Sequence, residues 1–132
     1  VRIADMLIEK AAGCGIVPGR IYIDPLVMAL SAVNDSLLVF ADAVRQIKAK
    51  YPEVKTTSGL SNISFGMPYR KAINLNFLTL AMQAGMDSAI IDPTTRDTYT
   101  TILAAEALLG RDKYCRKYTT AYRKGRIGPV KQ

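Results

Sequence analysis

Three short runs, IYID (21–24), VKTTS (54–58) and SAIID (88–92), close at Asp24, Gly59 and Asp92, roughly 34 residues apart, about the length of one βα unit. Strands that are short, mostly apolar and separated by helical stretches cannot be neighbours in a hairpin. They belong to a parallel sheet covered by helices. The echo of IYIDP in AIIDP fits repeated βα units. A closed (β/α)8 barrel needs eight strands and typically ~250 residues. A chain of 132 residues with three strands therefore excludes the complete barrel and leaves an α/β fold of parallel strands flanked by helices, either a partial (β/α)8 TIM barrel or part of a doubly wound sheet.

Helical periodicity fills the intervals. Ile3, Leu7 and Ala11 share one face of a first helix, with Ile8 and Ala12 beside it. Gly13 and Gly15 stop that helix, and Pro18-Gly19 turns the chain. Asn34, Asp35 and Ser36 offer caps before SLLVFADAVRQIKAK, whose apolar stripe is Leu37, Ala41, Val44 and Ile47, ended by Tyr51-Pro52. A third helix runs over about 70–84 with Gly85 as its stop, a fourth over about 97–109, and a basic helix closes the chain. The expected order is αβαβαβαα.

Composition narrows the chemistry. With no histidine, the chain excludes a Ser-His-Asp triad, a Cys-His dyad and histidine metal ligation. Cys14 and Cys115, far apart and without a CxxC pattern, point to reduced cytosolic thiols, with neither a disulfide framework nor a metal site. The apolar runs are too short for a span of ~20 residues, so no membrane is expected. No basic stretch followed by an apolar run opens the chain, so no secretory signal is expected in it, and a cytoplasmic setting is.

The net charge of +7 is uneven: residues 1–110 balance, and the excess comes from RDKYCRKYTTAYRKGRIGPVK (111–131). Basic residues interleaved with aromatics can hold nucleic acid or an acidic partner. Tyr114, Tyr118 and Tyr122, at i, i+4 and i+8, favour instead a helix packing its tyrosines onto the body and leaving a solvated basic face.

In parallel α/β folds ligands bind where loops leave the carboxyl ends of the strands. Three places qualify. Asp24 ends an apolar strand, where a half-desolvated carboxylate needs a paired donor, such as two adjacent N–H groups of a ligand that point the same way. The alternative is that Asp24 caps the turn begun by Asp-Pro. The loop 59–68 is long for a βα connection, and long loops are often functional. Within it Asn62 carries an amide that both donates and accepts, so it can follow a nitrogen whose protonation changes. No glycine-rich phosphate motif is present. Asp92 precedes Pro93, Thr94 and Thr95, which looks like ordinary helix-entry chemistry, and is at most a pocket-rim residue.

Four segments carry a resemblance over essentially the whole chain: IYIDPLV (21–27), KTTSGLSNISFG (55–66), INLNFLTLAMQAGMDSAIIDP (73–93) and RDKYCRKY (111–118). With them the chain resembles the methyltetrahydrofolate:corrinoid methyltransferases, which include the folate domain of cobalamin-dependent methionine synthase. The resemblance implies that residues 1–132 form the C-terminal half of a pterin-binding barrel domain, roughly its last three βα units. It implies that Asp24 holds the pterin ring and that Asn62 is the catalytic residue hydrogen-bonded near N5. Gly59 and Ser61 would line the pocket, and Ile90 would pack against the pterin. The implied reaction moves the N5-methyl group of methyltetrahydrofolate to the cobalt of a corrinoid, or cobalamin, carried by a partner protein or domain. Preorganised dipoles, with no acid, would stabilise the departing nitrogen.

The earlier strands of such a barrel are not in the sequence, so exposed apolar edges are expected, covered by the other half of the barrel or by a second copy. Two alternatives stand beside this reading. One is another pterin barrel such as a dihydropteroate synthase, kept open by Arg70-Lys71. The other is a basic binding module acting through residues 111–131.

Overall fold

A computed structural model describes residues 1–130; Lys131 and Gln132, the end of the basic tail, lie outside the described residues. The chain forms two compact units, the first ending at Ile90 and the second beginning at Ile91.

The first unit contains α1 (Arg2–Gly13), β1 (Tyr22–Ile23), α2 (Ser36–Lys50), β2 (Lys55–Thr56) and α3 (Arg70–Ala84). The strands pair in parallel, Tyr22 opposite Lys55 and Ile23 opposite Thr56, as a crossover through α2 requires. The expected third strand is reduced to a single parallel bridge, Gly59 to Ile90. Ile90 N–H donates to Ser58 O (2.9 Å) and Leu60 N–H to Ile90 O (3.2 Å), so the segment runs in the expected place and direction. Its ladder stays too short for a strand because Asp92-Pro93 turns the chain two residues later. Apart from that strand the order of the elements holds, and the parallel α/β character holds with it.

The core explains the helices. Phe40 and Phe77 meet at 5.4 Å between ring centroids, tilted by 55°, and join α2 to α3. Around them Val44, Leu78 and Ala81 are fully buried. Burying side chains the size of Phe40 or Leu78 stabilises by roughly 1.5–3 kcal/mol each. A second cluster, Ala4, Ile8, Ile23, Ile47 and Val54, packs α1 onto the sheet.

Two predicted faces are rotated from expectation. In α2 Phe40 is buried and Leu37 only half-buried, because the ring fills the gap opposite Phe77. In α1 the buried pair is Ala4 and Ile8, while Ile3 and Leu7 are exposed at 71% and 51%. The small Ala4 lets α1 approach the sheet, and the larger residues are left on the other side.

Polar clasps lock the amino ends of the strands. Lys48 Nζ donates to Val54 O (2.9 Å) and pairs with Asp87 at 3.0 Å. Asp87 Oδ2 in turn accepts from the buried Thr56 N–H (2.8 Å). Burial pushes the Asp87 carboxyl up, but the Thr56 N–H and the Lys48 ammonium outweigh it and hold it below its usual value. On the other side Asp5 Oδ1 accepts from Lys50 Nζ (2.9 Å) and Tyr51 OH (2.8 Å), tying α1 to the end of α2.

The second unit holds α4 (Arg96–Leu108), a 3₁₀ turn (Lys113–Cys115) and α5 (Arg116–Arg123), around a small core of Leu103, Ala121 and Ile127. Arg96 clasps the tail, donating from Nε to Gly128 O (2.9 Å) and from Nη2 to Gly125 O (2.8 Å). The expected tyrosine packing is overturned. Tyr114, Tyr118 and Tyr122 are exposed at 78%, 37% and 60%. Tyr114 and Cys115 take left-handed backbone angles, which break the helical register before α5 begins. The residue buried in α5 is Ala121.

Candidate functional site

The parallel pairing of β1 and β2 puts their outgoing loops side by side, and three bonds stitch those loops together. The Asn62 amide Nδ2 donates to Val27 O in a short hydrogen bond. Leu30 N–H donates to Ile63 O (2.9 Å), and Ser31 Oγ to Phe65 O (2.8 Å). Val27 and Ile63 are buried beneath these contacts. The loop after β1, which carries Asp24, and the loop after β2, which carries Asn62, therefore form one ridge at the carboxyl end of the sheet.

The stitch fixes the orientation of Asn62. A carbonyl oxygen can only accept, so the amide must turn Nδ2 toward Val27 O. Oδ1 and the second amide hydrogen remain for a ligand, and the side chain is exposed. The turn behind it is held by Arg70, which donates from Nε to Ser64 Oγ (3.0 Å) and from Nη2 to Ser61 O (2.8 Å). Ser61 thus contributes its carbonyl to the turn, and its side chain is exposed. The arginine that kept a phosphate-binding role open is engaged in shaping this loop.

Asp24 is exposed where a half-desolvated carboxylate was expected. Its Oδ1 accepts from Leu26 N–H (2.8 Å), the turn predicted from Asp-Pro. Leu26 sits at φ 54°, a left-handed angle that a bulky side chain rarely adopts. The bond from Leu26 holds the carboxylate at a set angle and leaves Oδ2 facing no donor among the described residues. Asp24 lines a cleft of about 520 Å³ with Ile3, Leu7, Ile23, Leu26 and Ile47. Asn62, Gly59, Ser61 and Ile90 lie outside that cleft.

Gly59 and Ile90 are bridge partners, and a side chain on Gly59 would meet open space. Ile90 is exposed at 71% and so available to a ligand. Asp92 belongs to the second unit, where its Oδ1 accepts from Thr94 Oγ1 (2.6 Å) and Thr94 N–H (2.9 Å). Those two bonds hold its carboxyl below the usual value, the signature of a helix-entry turn. Sequence reasoning did not single out Val27 or Leu26. Neither a carbonyl acceptor 35 residues from its donor nor a strained leucine leaves a mark in a residue pattern.

A parallel βα frame with its free polar groups on the carboxyl-end loops defines a class of ligand-binding α/β proteins. Residues 2–92 match the model of the pterin binding enzyme family, and the chain belongs to that family. It is 53% identical over 130 residues to the methylcorrinoid:tetrahydrofolate methyltransferase of Eubacterium limosum, across 98% of this chain and 48% of that protein. Methionine synthases of Mycobacterium tuberculosis and Mycobacterium leprae are 37% and 36% identical over 98 residues, 69% of this chain and 8% of each of theirs. The chain therefore spans about half the length of the first relative and a small part of the other two. No helix among the described residues is long and apolar enough to cross a membrane.

Proposed function

We propose that this chain is the C-terminal half of a pterin-binding (β/α)8 barrel that exchanges a methyl group between N5 of tetrahydrofolate and the cobalt of a corrinoid on another protein or domain. The observation that carries the reading is the stitched ridge, in which Asn62 is fixed as an outward acceptor beside the loop of Asp24. The similarity to a methylcorrinoid:tetrahydrofolate methyltransferase over nearly all of the chain supports it.

Each residue has a part that its geometry allows. Asp24, with Oδ2 open, receives the 2-amino group and adjacent N–H of the pterin; a charge-assisted bond of this kind contributes about 1.5–3 kcal/mol. Gly59 admits the ring without a side chain in the way, and Ile90 covers an apolar edge. The methyl group leaves N5 as a cation equivalent, the C–N electron pair stays on nitrogen, and N5 gains a proton. Oδ1 of Asn62 accepts a hydrogen bond from that N–H, so the contact strengthens as the methyl departs. The corrinoid supplies the nucleophilic cobalt that takes the methyl group. In the reverse direction the same contact holds the N5–H of tetrahydrofolate until methylation displaces the proton.

The barrel reading has its own support. β1 is paired along one edge only among the described residues, and Ile3, Leu7, Tyr22 and Leu26 are exposed around it. Those are the surfaces that preceding βα units, or a second copy, would cover.

Calorimetric titration of methyltetrahydrofolate into the protein tests the assignment. Asp24→Asn should weaken binding about tenfold or more, the equivalent of one charge-assisted bond. Asn62→Ala should lower the methyl-transfer rate by at least as much, with a smaller loss of affinity. Saturable binding that is indifferent to Asp24→Asn would remove the pterin site from this ridge.

A further inference from the structure

The second unit carries a groove of about 330 Å³ that the reading above does not use. Its lining is Tyr99, Leu103, Arg116, Lys117, Thr120, Ala121 and Arg126. The floor is apolar: Leu103 and Ala121 are buried, and Tyr99 is exposed at 38%. The rim carries three cations and no carboxylate.

The fold assembles this rim from two places. Arg116 and Lys117 open α5, and Arg126 follows the turn at Gly125, which Arg96 pins back through its bond to Gly125 O. The nearest acid in the sequence, Asp112, interacts through its charge with Lys117 and is no part of the groove lining. It is buried and already accepts from Lys117 N–H and Tyr118 N–H at 3.0 Å each, which keeps its carboxyl below the usual range. Arg116 and Arg126 have no carboxylate partner among the described residues; Arg116 instead lies 5.8 Å from the ring of the exposed Tyr114. Arg111, by contrast, is paired with Glu106 at 3.3 Å, away from the groove lining.

We propose that this groove docks an acidic, amphipathic segment of a partner protein, an apolar side chain entering the floor and flanking carboxylates meeting Arg116, Lys117 and Arg126. On the function proposed above, which this identification of the partner rests on, that protein is the one carrying the corrinoid. Charge complementarity argues for the occupant: an apolar floor selects a side chain that a bare anion lacks, and planar guanidinium groups pair bidentately with carboxylates. Such a rim accelerates encounter at low salt and orients the partner.

The test uses the full chain and a fluorescein-labelled peptide of glutamate and leucine at helical spacing, followed by anisotropy. Its lysine–leucine counterpart and a single-stranded oligonucleotide of equal charge serve as competitors. The expected result is saturable binding of the acidic peptide that weakens steeply between about 50 and 300 mM salt, as the screening length shortens. The triple variant Arg116→Glu/Lys117→Glu/Arg126→Glu should lower affinity at least tenfold. Arg126→Gln, which lies beyond the helix and spares its fold, should fall between. Methyltetrahydrofolate titration of the same variants should be unchanged. Peptide affinity indifferent to the charge reversals would overturn the proposal, as would an oligonucleotide that outcompetes the peptide through the same residues. Peptide binding that obeys these residues in a protein that binds no folate, even with the amino-terminal half of the barrel supplied, would uphold the docking groove and refute the methyl-transfer reading.

Discussion

Thr56 and Asp87 form the residue pair on which the amino end of the sheet depends. Thr56 is fully buried, and its N–H finds its acceptor in Asp87. Asp87→Ala leaves that donor without a partner, which costs about 1–3 kcal/mol. Urea unfolding should show a lower midpoint with an unchanged slope. The pH dependence follows from the depressed carboxyl. A group whose pKa is lower in the folded state contributes its stability above the ordinary value of 3.8 and loses it as pH falls through the lower, folded value. The gap between wild type and Asp87→Ala should therefore be full at neutral pH and close in acid below about pH 3.8. A gap that persists undiminished at pH 2 would show that the carboxylate does not carry it. This pair serves stability at one end of the strands, whereas Asp24 and Asn62 face outward at the other.

At the scale of elements, one device ends four of the five α-helices among the described residues. After α1, α3, α4 and α5 a glycine with positive φ (Gly15, Gly85, Gly110, Gly125) is followed by an N–H that reaches back five residues, as Met86 N–H does to Ala81 O at 3.0 Å. α2 ends differently, at Tyr51-Pro52, because its last turn must release the chain straight into β2. At Gly85 φ is 112°, and an added Cβ would come 3.4 Å from Lys48 Cγ, the side chain that holds Asp87. Gly85→Ala should then destabilise by about 1–2 kcal/mol through backbone strain. Hydrogen exchange should show faster opening of α3 and of the Asp87 clasp together. Loss of protection in α3 alone would separate the cap from the clasp. Helix stops of this kind are legible in the sequence because only glycine fits the angle. The face a helix buries is less so: Phe40 displaced Leu37, and Ala4 displaced Ile3, because the choice depends on what stands opposite.

For the whole molecule, the open edge of β1 is the decisive feature. If the barrel reading holds, the amino-terminal half of the Eubacterium limosum relative, supplied in trans, should bind this chain. Amide exchange at Tyr22 and Ile23 should slow, and folate affinity should rise at least tenfold as the rest of the pocket arrives. A chain that instead dimerises and gains no folate affinity from the added half would assign the edge to a second copy.

The sequence by itself determined the alternation of strand and helix, the positions of the helix stops and the Asp-Pro turn at Asp24, because each follows from local sterics and periodicity. The family was legible too, from segments that fall mostly within residues 2–92, the span its model matches. Only the tertiary structure decided which polar groups are engaged. Asn62 bonds Val27 across 35 positions, Arg70 shapes the Ser61 turn, and the tail tyrosines stand exposed. Such pairings depend on how parallel strands bring distant loops together and on which surfaces remain after the core is filled. No local pattern encodes either.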